Sequence, residues 1–177
     1  MKFHKISWKD YHKACIRLSK KINKLPIDKI LAISRGGIVP ARILSDLLDI
    51  PISHITIESY KSLKQKKSLT ITEVPSTNFN DKTILIVDDV SDTGRTFRRA
   101  LSYFKNFRVK KIYTLALYIK PHTKYIPNFW AKNIDAWHIY PYELKETQDA
   151  FVKMFKTKAK ARKKLIEVGF KRWEIDM

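Results

Sequence analysis

ILIVDDVSDTGRT, residues Ile84–Thr96, is the part of the sequence that decides the fold. It opens with an apolar run. Together with the preceding residue this run covers Thr83–Val87, and it is typical of a strand buried on both faces. The run ends in two adjacent carboxylates and a small, hydroxylated turn, and a helical pattern follows. Because open parallel sheets bind ligands at the carboxyl ends of their strands, this stretch predicts an α/β fold with a site at that end.

The residues after this strand offer two kinds of binding group. The carboxylates of Asp88 and Asp89 suit sugar hydroxyls or Mg²⁺. Neighbouring residues of a strand point to opposite faces, so both can reach one ligand only where the strand is ending. The turn from Asp92 to Thr96 offers N–H groups, hydroxyls and a helix N-terminus, which together bind anions. A phosphorylated sugar has both features, whereas the alternative is an ordinary strand–turn–helix with Asp capping.

Strand and helix patterns alternate on both sides of this stretch, as expected for one α/β domain with a mainly parallel sheet flanked by helices. The predicted elements are a helix starting at the capping box Ser7–Asp10, a buried strand Lys29–Ser34, a helix up to Pro51, a strand Ile52–Ser59, a polar loop Tyr60–Asn80, a strand Val109–Ile119, an irregular region up to Glu143, and a last helix capped by Thr147 and ended by Gly169.

Charge and composition narrow the classes of protein. The net charge of +19 over 177 residues predicts attraction to polyanions such as nucleic acid, an anionic membrane or a phosphorylated substrate. A solvated surface without any partner is the alternative. The single cysteine, Cys15, excludes an internal disulfide framework and favours the cytoplasm. No apolar run approaches the roughly 20 residues that span a bilayer.

Three further segments carry candidate binding groups. In Ser34-Arg35-Gly36-Gly37, the glycines allow the backbone to approach an anion and Arg35 adds a forked donor. Lys120, at the end of a strand, can donate to a carbonyl oxygen, and Trp137 can stack on a base. The alternatives are a plain connector, a solvated lysine and a core tryptophan.

VDDVSDTGRT resembles the 5-phosphoribosyl-1-pyrophosphate (PRPP) signature of type I phosphoribosyltransferases, and AISRGGIVPARIL resembles the pyrophosphate loop of xanthine-guanine phosphoribosyltransferases. The resemblance implies a Rossmann-like type I phosphoribosyltransferase fold in a single domain, residues 1–177. A small hood from about 121–146 would cover the site, and a basic helical extension would occupy about 147–177. The implied reaction transfers the phosphoribosyl group from PRPP to N9 of a 6-oxopurine (guanine, xanthine or hypoxanthine) in a cytoplasmic homodimer or homotetramer.

The resemblance also implies a role for each matched residue. Asp88 and Asp89 would bind the ribose hydroxyls and help to place Mg²⁺. Asp92, as proton acceptor near purine N7, and Arg35 would be the catalytic residues. The 5′-phosphate would contact Asp92, Thr93, Gly94, Arg95 and Thr96, and pyrophosphate would contact Ser34, Arg35, Gly36 and Gly37, with a cis peptide expected at Ser34–Arg35. Lys120, Trp137 and His138 would bind the base, and Tyr60, Lys66 and Lys67 would belong to a flexible loop.

The match leaves three points open. Ile139 and Tyr142 replace an acidic residue and a tryptophan of the xanthine-guanine enzymes, so the preferred 6-oxopurine is not fixed. The basic extension can pack on a neighbouring subunit or touch an anionic membrane at the inner face. An RNA-binding regulator of the pyrimidine-attenuation type, whose signature also ends in TGRT, is the alternative function. Asp92, Lys120 and Trp137 favour the salvage enzyme, so nucleic acid is not expected as a partner.

Overall fold

The computed structural model describes residues 2–60 and 68–176. The strands are β1 (Phe3–Lys5), β2 (Lys29–Ser34), β3 (Ile52–Tyr60), β4 (Ser68–Glu73), β5 (Thr83–Ser91), β6 (Lys111–Ile119), β7 (Phe129–Asn133) and β8 (Trp137–Ile139). The helices are α1 (Trp8–Ile22), α2 (Ile38–Leu48), α3 (Arg95–Phe104), α4 (Leu144–Phe155), α5 (Lys158–Glu167) and α6 (Arg172–Ile175).

The central sheet has six strands in the order β4-β3-β2-β5-β6-β7. All neighbouring strands run parallel except β4, which pairs antiparallel with β3 at one edge. Helices α2 and α3 pack on this sheet. The predicted α/β class, with a mainly parallel sheet flanked by helices, is therefore confirmed.

The apolar run that decides the fold forms the middle of this sheet. Every residue of β5 from Thr83 to Asp89 is buried. On the α3 side, Ile84 and Ile86 pack in one core cluster with Phe97 and Phe104. A strand buried on both faces needs apolar side chains in both directions, which explains why this run does not alternate.

Strand β5 is longer than predicted. It continues through the two aspartates to Ser91 instead of ending at Val87. Its pairing with β2 stops at Val87, whereas pairing with β6 continues as far as Ser91 and Ile119. The last four residues of β5 are therefore held from one side, which leaves the β2 side of the strand end for the Gly36-Gly37 turn.

Three other predictions were wrong in detail. The polar Tyr60–Asn80 stretch contains β4, in which Leu69 and Ile71 alternate with threonines and which pairs with β3 as the edge strand of the sheet. The region predicted to be irregular contains β7 and β8. The single last helix is two helices, because Lys156 has a positive φ of 68° and Thr157 caps a new helix by accepting from the Lys160 N–H.

Helix α1 matches its prediction closely. The Asp10 N–H donates to Ser7 Oγ over 3.0 Å, and Ser7 Oγ donates back to the Asp10 carboxylate over 2.6 Å. Cys15 lies on the buried face of the helix, and burial raises the pKa of its thiol to about 12. A thiol with so high a pKa stays protonated, so Cys15 is an inert core residue.

The chain divides into two compact units. The larger unit, His12–Ile134, contains the central sheet. The smaller unit joins Met1–Tyr11 to Asp135–Met177 and contains the parallel β1–β8 pair and α4, α5 and α6. In the smaller unit Lys5 donates to Glu174 over 2.7 Å and lies 4.4 Å from the Phe170 ring centroid. The predicted hood, at about 121–146, and the extension, at about 147–177, stay predictions.

In the described part of the chain no helix is both long and apolar enough to cross a membrane.

Candidate active site

Two carboxylates lie buried side by side near the end of β5. Asp88 and Asp89 are only 8% and 7% exposed. The Asp89 N–H donates to Asp88 Oδ1 over 3.0 Å. Burial raises the pKa of the Asp88 carboxyl well above its usual range, and repulsion from Asp89 raises it further, although the Asp89 N–H partly opposes this. Ligand hydroxyls or a cation at this point would stabilise the charged form.

The turn after β2 approaches these carboxylates closely. A Cβ added at Gly36 would overlap Oδ2 of Asp89. The next residue, Gly37, is equally confined, because its Cβ would overlap the carbonyl oxygens of Ile33 and Val87. The Ser34–Arg35 peptide bond is cis, which confirms the expectation from the resemblance. The structure thus brings Ser34, Arg35, Gly36 and Gly37 to the same end of the sheet as Asp89.

A cavity of about 240 Å³ lies at the end of β5 and the start of α3. Its lining consists of Asp88, Asp89, Val90, Ser91, Asp92, Thr93, Gly94, Thr96 and Phe97. Gly94 has a φ of 74°, which turns the chain into α3 without side-chain strain. The turn directly precedes the N-terminus of a ten-residue helix, where free N–H groups favour an anion. The cavity thus combines carboxylates at one side with an anion-binding turn at the other.

The donor set of this cavity fits Mg²⁺ as this metal usually binds. Proteins hold Mg²⁺ through one or two carboxylates together with substrate phosphates and waters. Within residues 2–60 and 68–176, no cluster of three or more His, Cys, Asp or Glu side chains could hold a metal by itself. Asp88 and Asp89, two buried carboxylates that repel each other, are the groups that would hold Mg²⁺ together with a phosphorylated substrate.

The loop after β6, residues 120–125, is fastened to the end of β5. The Lys120 N–H donates to Ser91 O over 3.1 Å, and the Lys124 N–H donates to Thr93 O over 3.3 Å. Ser91 Oγ donates to Tyr125 O over 2.7 Å. A Cβ at Gly94 would overlap the Cβ of Tyr125, so glycine is also needed here for close packing. These contacts hold the half-buried Lys120 beside the anion-binding turn.

The other two residues predicted to bind a base lie in the smaller unit. Trp137 is 39% exposed in β8, with its ring centroid 6.3 Å from that of Phe3. His138 is buried, and its Nδ1 lies 3.2 Å from the Tyr140 hydroxyl. Exposure of Trp137 leaves a ring available for stacking, whereas burial of the His138 side chain suits the backbone role expected for it.

Ile139 explains one departure from the xanthine-guanine pattern. Its side chain is fully buried in a core cluster with Phe151 of α4, Leu165 of α5 and Phe170, which lies between α5 and α6. An acidic side chain in this cluster would lose its hydration without compensation. The apolar residue at this position is therefore a consequence of the C-terminal helices of this chain.

The predicted flexible-loop residues are only partly described. Tyr60 ends β3, opposite Ser68 of β4. Lys66 and Lys67 lie outside the described residues. Their assignment to a flexible loop stays a prediction.

Sequence reasoning missed His122, whose Nε2 lies 2.8 Å from Oδ1 of Asp92. The two residues are 30 positions apart, and no spacing rule connects them. The available signal was indirect, because His122 lies two residues after Lys120, just beyond the end of the predicted strand Val109–Ile119.

Comparisons with known proteins agree with this geometry. Residues 7–147 match the model of the phosphoribosyl transferase domain. A xanthine-guanine phosphoribosyltransferase of Idiomarina loihiensis is 28% identical over 78% of this chain and 86% of its own length.

Solved structures give the same picture. A purine phosphoribosyltransferase from Pyrococcus horikoshii has 31% identity and a TM-score of 0.74, covering 80% of this chain and 95% of that one. A hypothetical protein from Neisseria gonorrhoeae, solved with bound ppGpp, has 28% identity and a TM-score of 0.70, covering 81% and 90%. With most of its length matched by the family model, this chain belongs to the phosphoribosyl transferase domain family.

Proposed function

We propose that this protein is a purine salvage enzyme that transfers the 5-phosphoribosyl group from PRPP to N9 of a 6-oxopurine. The observation that carries the proposal is the cavity at the end of β5, which joins two buried carboxylates to an anion-binding turn. PRPP has ribose hydroxyls that suit the carboxylates and a 5′-phosphate that suits the anion-binding turn. The relatives named as purine and xanthine-guanine phosphoribosyltransferases support the same class of acceptor.

The reaction balances without a covalent enzyme intermediate. The N9–C1 bond forms, the bond between C1 and the pyrophosphate oxygen breaks, and the N7 proton passes to the Asp92 carboxylate. The developing positive charge on the ribose and negative charge on pyrophosphate call for positioning and electrostatic stabilisation. Asp92 is exposed at the rim of the cavity, where an incoming base can reach it.

Each part of the site has one task in this proposal. Asp88 and Asp89 bind the ribose hydroxyls, and residues 92–96 bind the 5′-phosphate. The loop of residues 34–37 binds pyrophosphate through its backbone and the exposed Arg35. Lys120 donates to the purine 6-oxygen and Trp137 stacks on the base.

Mg²⁺, held by Asp88 and Asp89 with the substrate, would neutralise pyrophosphate charge. A cytoplasmic location and assembly as a homodimer or homotetramer belong to the same proposal and rest on the resemblance. Contact between the basic C-terminal helices and an anionic membrane stays a prediction from charge alone.

The RNA-binding regulator is not favoured, because the named relatives are purine enzymes. The neisserial relative was solved with ppGpp, a molecule that joins a guanine base to phosphates. A site for both a guanine and phosphates would accept ppGpp here too, in competition with PRPP.

Pyrophosphate release with PRPP and Mg²⁺ tests the proposal across guanine, xanthine, hypoxanthine, adenine and uracil. Turnover is expected with at least one 6-oxopurine and should be far slower with adenine and uracil. The same assay with ppGpp added should show inhibition that excess PRPP relieves. No turnover with any purine, together with salt-sensitive RNA binding, would support the regulator instead.

A further inference from the structure

One imidazole contacts the proposed proton acceptor. Nε2 of His122 lies 2.8 Å from Oδ1 of Asp92, and the side chains are 60% and 58% exposed. A carboxylate in its charged form can only accept hydrogen bonds, so in the reactive form of the site the proton would be on Nε2, which donates it. This contact occupies one carboxylate oxygen and leaves Oδ2 for a second donor.

The backbone that carries His122 is fixed relative to Asp92. On one side of His122, the Lys120 N–H donates to Ser91 O over 3.1 Å. On the other side, Thr123 Oγ1 lies 3.0 Å from Ser91 Oγ, and the Lys124 N–H donates to Thr93 O over 3.3 Å. The loop therefore pairs with the residues directly before and after Asp92. The backbones of both residues are therefore held where the imidazole reaches the carboxylate.

The packing of Tyr125 holds the end of this loop. Its ring stacks on Phe97 of α3 with centroids 5.5 Å apart, and its hydroxyl lies 3.1 Å from Thr114 Oγ1 of β6. Phe97 is fully buried. The loop thus joins α3, β6 and the turn after β5. His122 is the residue of this loop whose side chain contacts Asp92, the proposed proton acceptor.

We propose that His122 is a positioning residue for Asp92, holding Oδ1 so that Oδ2 receives the proton from purine N7. The inference rests on the proposed function, because it needs Asp92 to act as that acceptor. Asp92 is exposed, so without a fixed partner its carboxylate would rotate among several rotamers. Holding the acceptor in the reactive orientation removes this freedom before the base binds.

The proton balance defines the role of the imidazole. When N9 attacks C1, the N7–H bond breaks and an O–H bond forms at Asp92 Oδ2. His122 keeps its Nε2 proton throughout and contributes orientation only. Any neutral side chain that donates from the same place should therefore replace part of its function, whereas an apolar one should not.

Kinetics of His122→Ala and His122→Gln test this role, measured with PRPP, Mg²⁺ and the purine that the wild type uses best. Because a misplacement of about 1 Å can cost roughly a hundredfold, we expect kcat to fall about tenfold in His122→Ala with the KM for PRPP within about twofold. His122→Gln keeps an N–H donor and should recover most of the loss. His122→Ala should cause no further loss when Asp92 is already Asn, since the two act as a unit.

His54→Ala is the matched control. His54 Nε2 lies 3.1 Å from Glu73 Oε1, with exposures of 49% and 58%, so the pair resembles His122–Asp92 in kind and accessibility. The His54–Glu73 pair joins β3 to β4, and β3 is two strands away from β5 in the sheet. Its loss should change kcat less than twofold, and both alanine variants should melt close to the wild type, because exposed pairs add little stability.

Three outcomes would overturn the inference. An unchanged kcat in His122→Ala would remove the positioning role and leave the proposed function intact. A loss equally large in the Asp92→Asn background would mean that His122 does not act through Asp92. Absence of purine turnover by the wild type would remove the proposed function and this inference with it.

Discussion

The end of β5 and helix α5 place their charged residues in opposite environments. Asp88 and Asp89 are almost completely buried, and the structure keeps two carboxyl groups next to each other there. In α5, by contrast, Lys158, Lys160 and Lys163 are exposed to solvent. Both regions contain ionisable side chains, but only those at the end of β5 lose their hydration on folding, which has a large free-energy cost.

This difference shows which charges are informative. A buried like-charged pair destabilises the folded chain unless a ligand uses it, so its presence points to a function. Exposed lysines cost almost nothing, so a net charge of +19 can accumulate without any partner. The following three predictions run from the buried carboxylates at the end of β5, through the partly buried Glu174 pair, to the exposed lysines of α5.

Gly36→Ala should give the largest effect in this comparison. Its Cβ would overlap the Asp89 carboxylate, so both the pyrophosphate loop and the carboxylate must move. Because each misplacement of about 1 Å can cost roughly a hundredfold, we expect kcat/KM for PRPP to fall by about a thousandfold.

Gly169→Ala is the control, since a Cβ there meets no atom within 4 Å. The strained φ of 101° should lower the melting temperature of Gly169→Ala without changing turnover. Equal activity of the two variants would contradict the proposed loop geometry.

Glu174→Gln should lower stability in the smaller unit. The Lys5 ammonium contacts Glu174 over 2.7 Å, and the Lys171 N–H donates to it over 2.6 Å. Because hydrogen bonds to charged groups contribute roughly 1.5–3 kcal/mol, we expect the free energy of unfolding to fall by about 2 kcal/mol in urea denaturation at pH 7.

The pH dependence of this loss follows from the pKa of Glu174. Burial raises that pKa, but the Lys171 N–H and the Lys5 ammonium outweigh burial and hold it below its usual range. The stabilisation is thus complete above the unfolded pKa of about 4.3 and is lost as the pH falls through the lower folded value. Lys145→Ala, which removes an exposed pair with Asp149, should cost under about 0.5 kcal/mol. A pH-independent difference between Glu174→Gln and the wild type would contradict this account.

Neutralising α5 should give the smallest effect. Replacing Lys158, Lys160 and Lys163 by Gln removes three exposed charges, and none of these residues lines the cavity. We expect kcat/KM for PRPP to change less than about twofold at 0.15 M salt, where the Debye length is about 8 Å. A loss above tenfold would show that the charge of this helix serves the PRPP site.

From the sequence, the centre of the sheet and the turns around the cavity could be predicted more completely than the edge strand β4 and the C-terminal helices. Residues 84–87 are apolar without interruption, which is typical of a strand covered on both faces. The glycines at 36, 37 and 94 mark real close approaches. Strand β4 was missed because its side chains alternate only weakly and because it lies at the edge of the sheet, where little of it is buried. The break between α4 and α5 was missed because Lys156 adopts a positive φ that lysine rarely takes.

Contacts between residues that are far apart in the chain could not be predicted from the sequence. The resemblance assigned Asp92, but its contact with His122 depends on how residues 120–125 return to Ser91 and Thr93. Likewise, Ile139 looked like a departure in the purine pocket until the structure placed it in a core with the C-terminal helices. Both facts arise from tertiary packing, which local patterns do not encode.

In the proposed reaction Asp92 takes the purine proton, while PRPP is held mainly by other groups of the site. Asp92→Asn tests it when kcat and the PRPP dissociation constant are measured on the same preparation, with the exposed Asp46→Asn as control. Because general base catalysis contributes roughly 10²–10⁴-fold, we expect kcat to fall at least about a hundredfold while PRPP affinity stays within about threefold and Asp46→Asn matches the wild type. An unchanged kcat in Asp92→Asn would contradict the account.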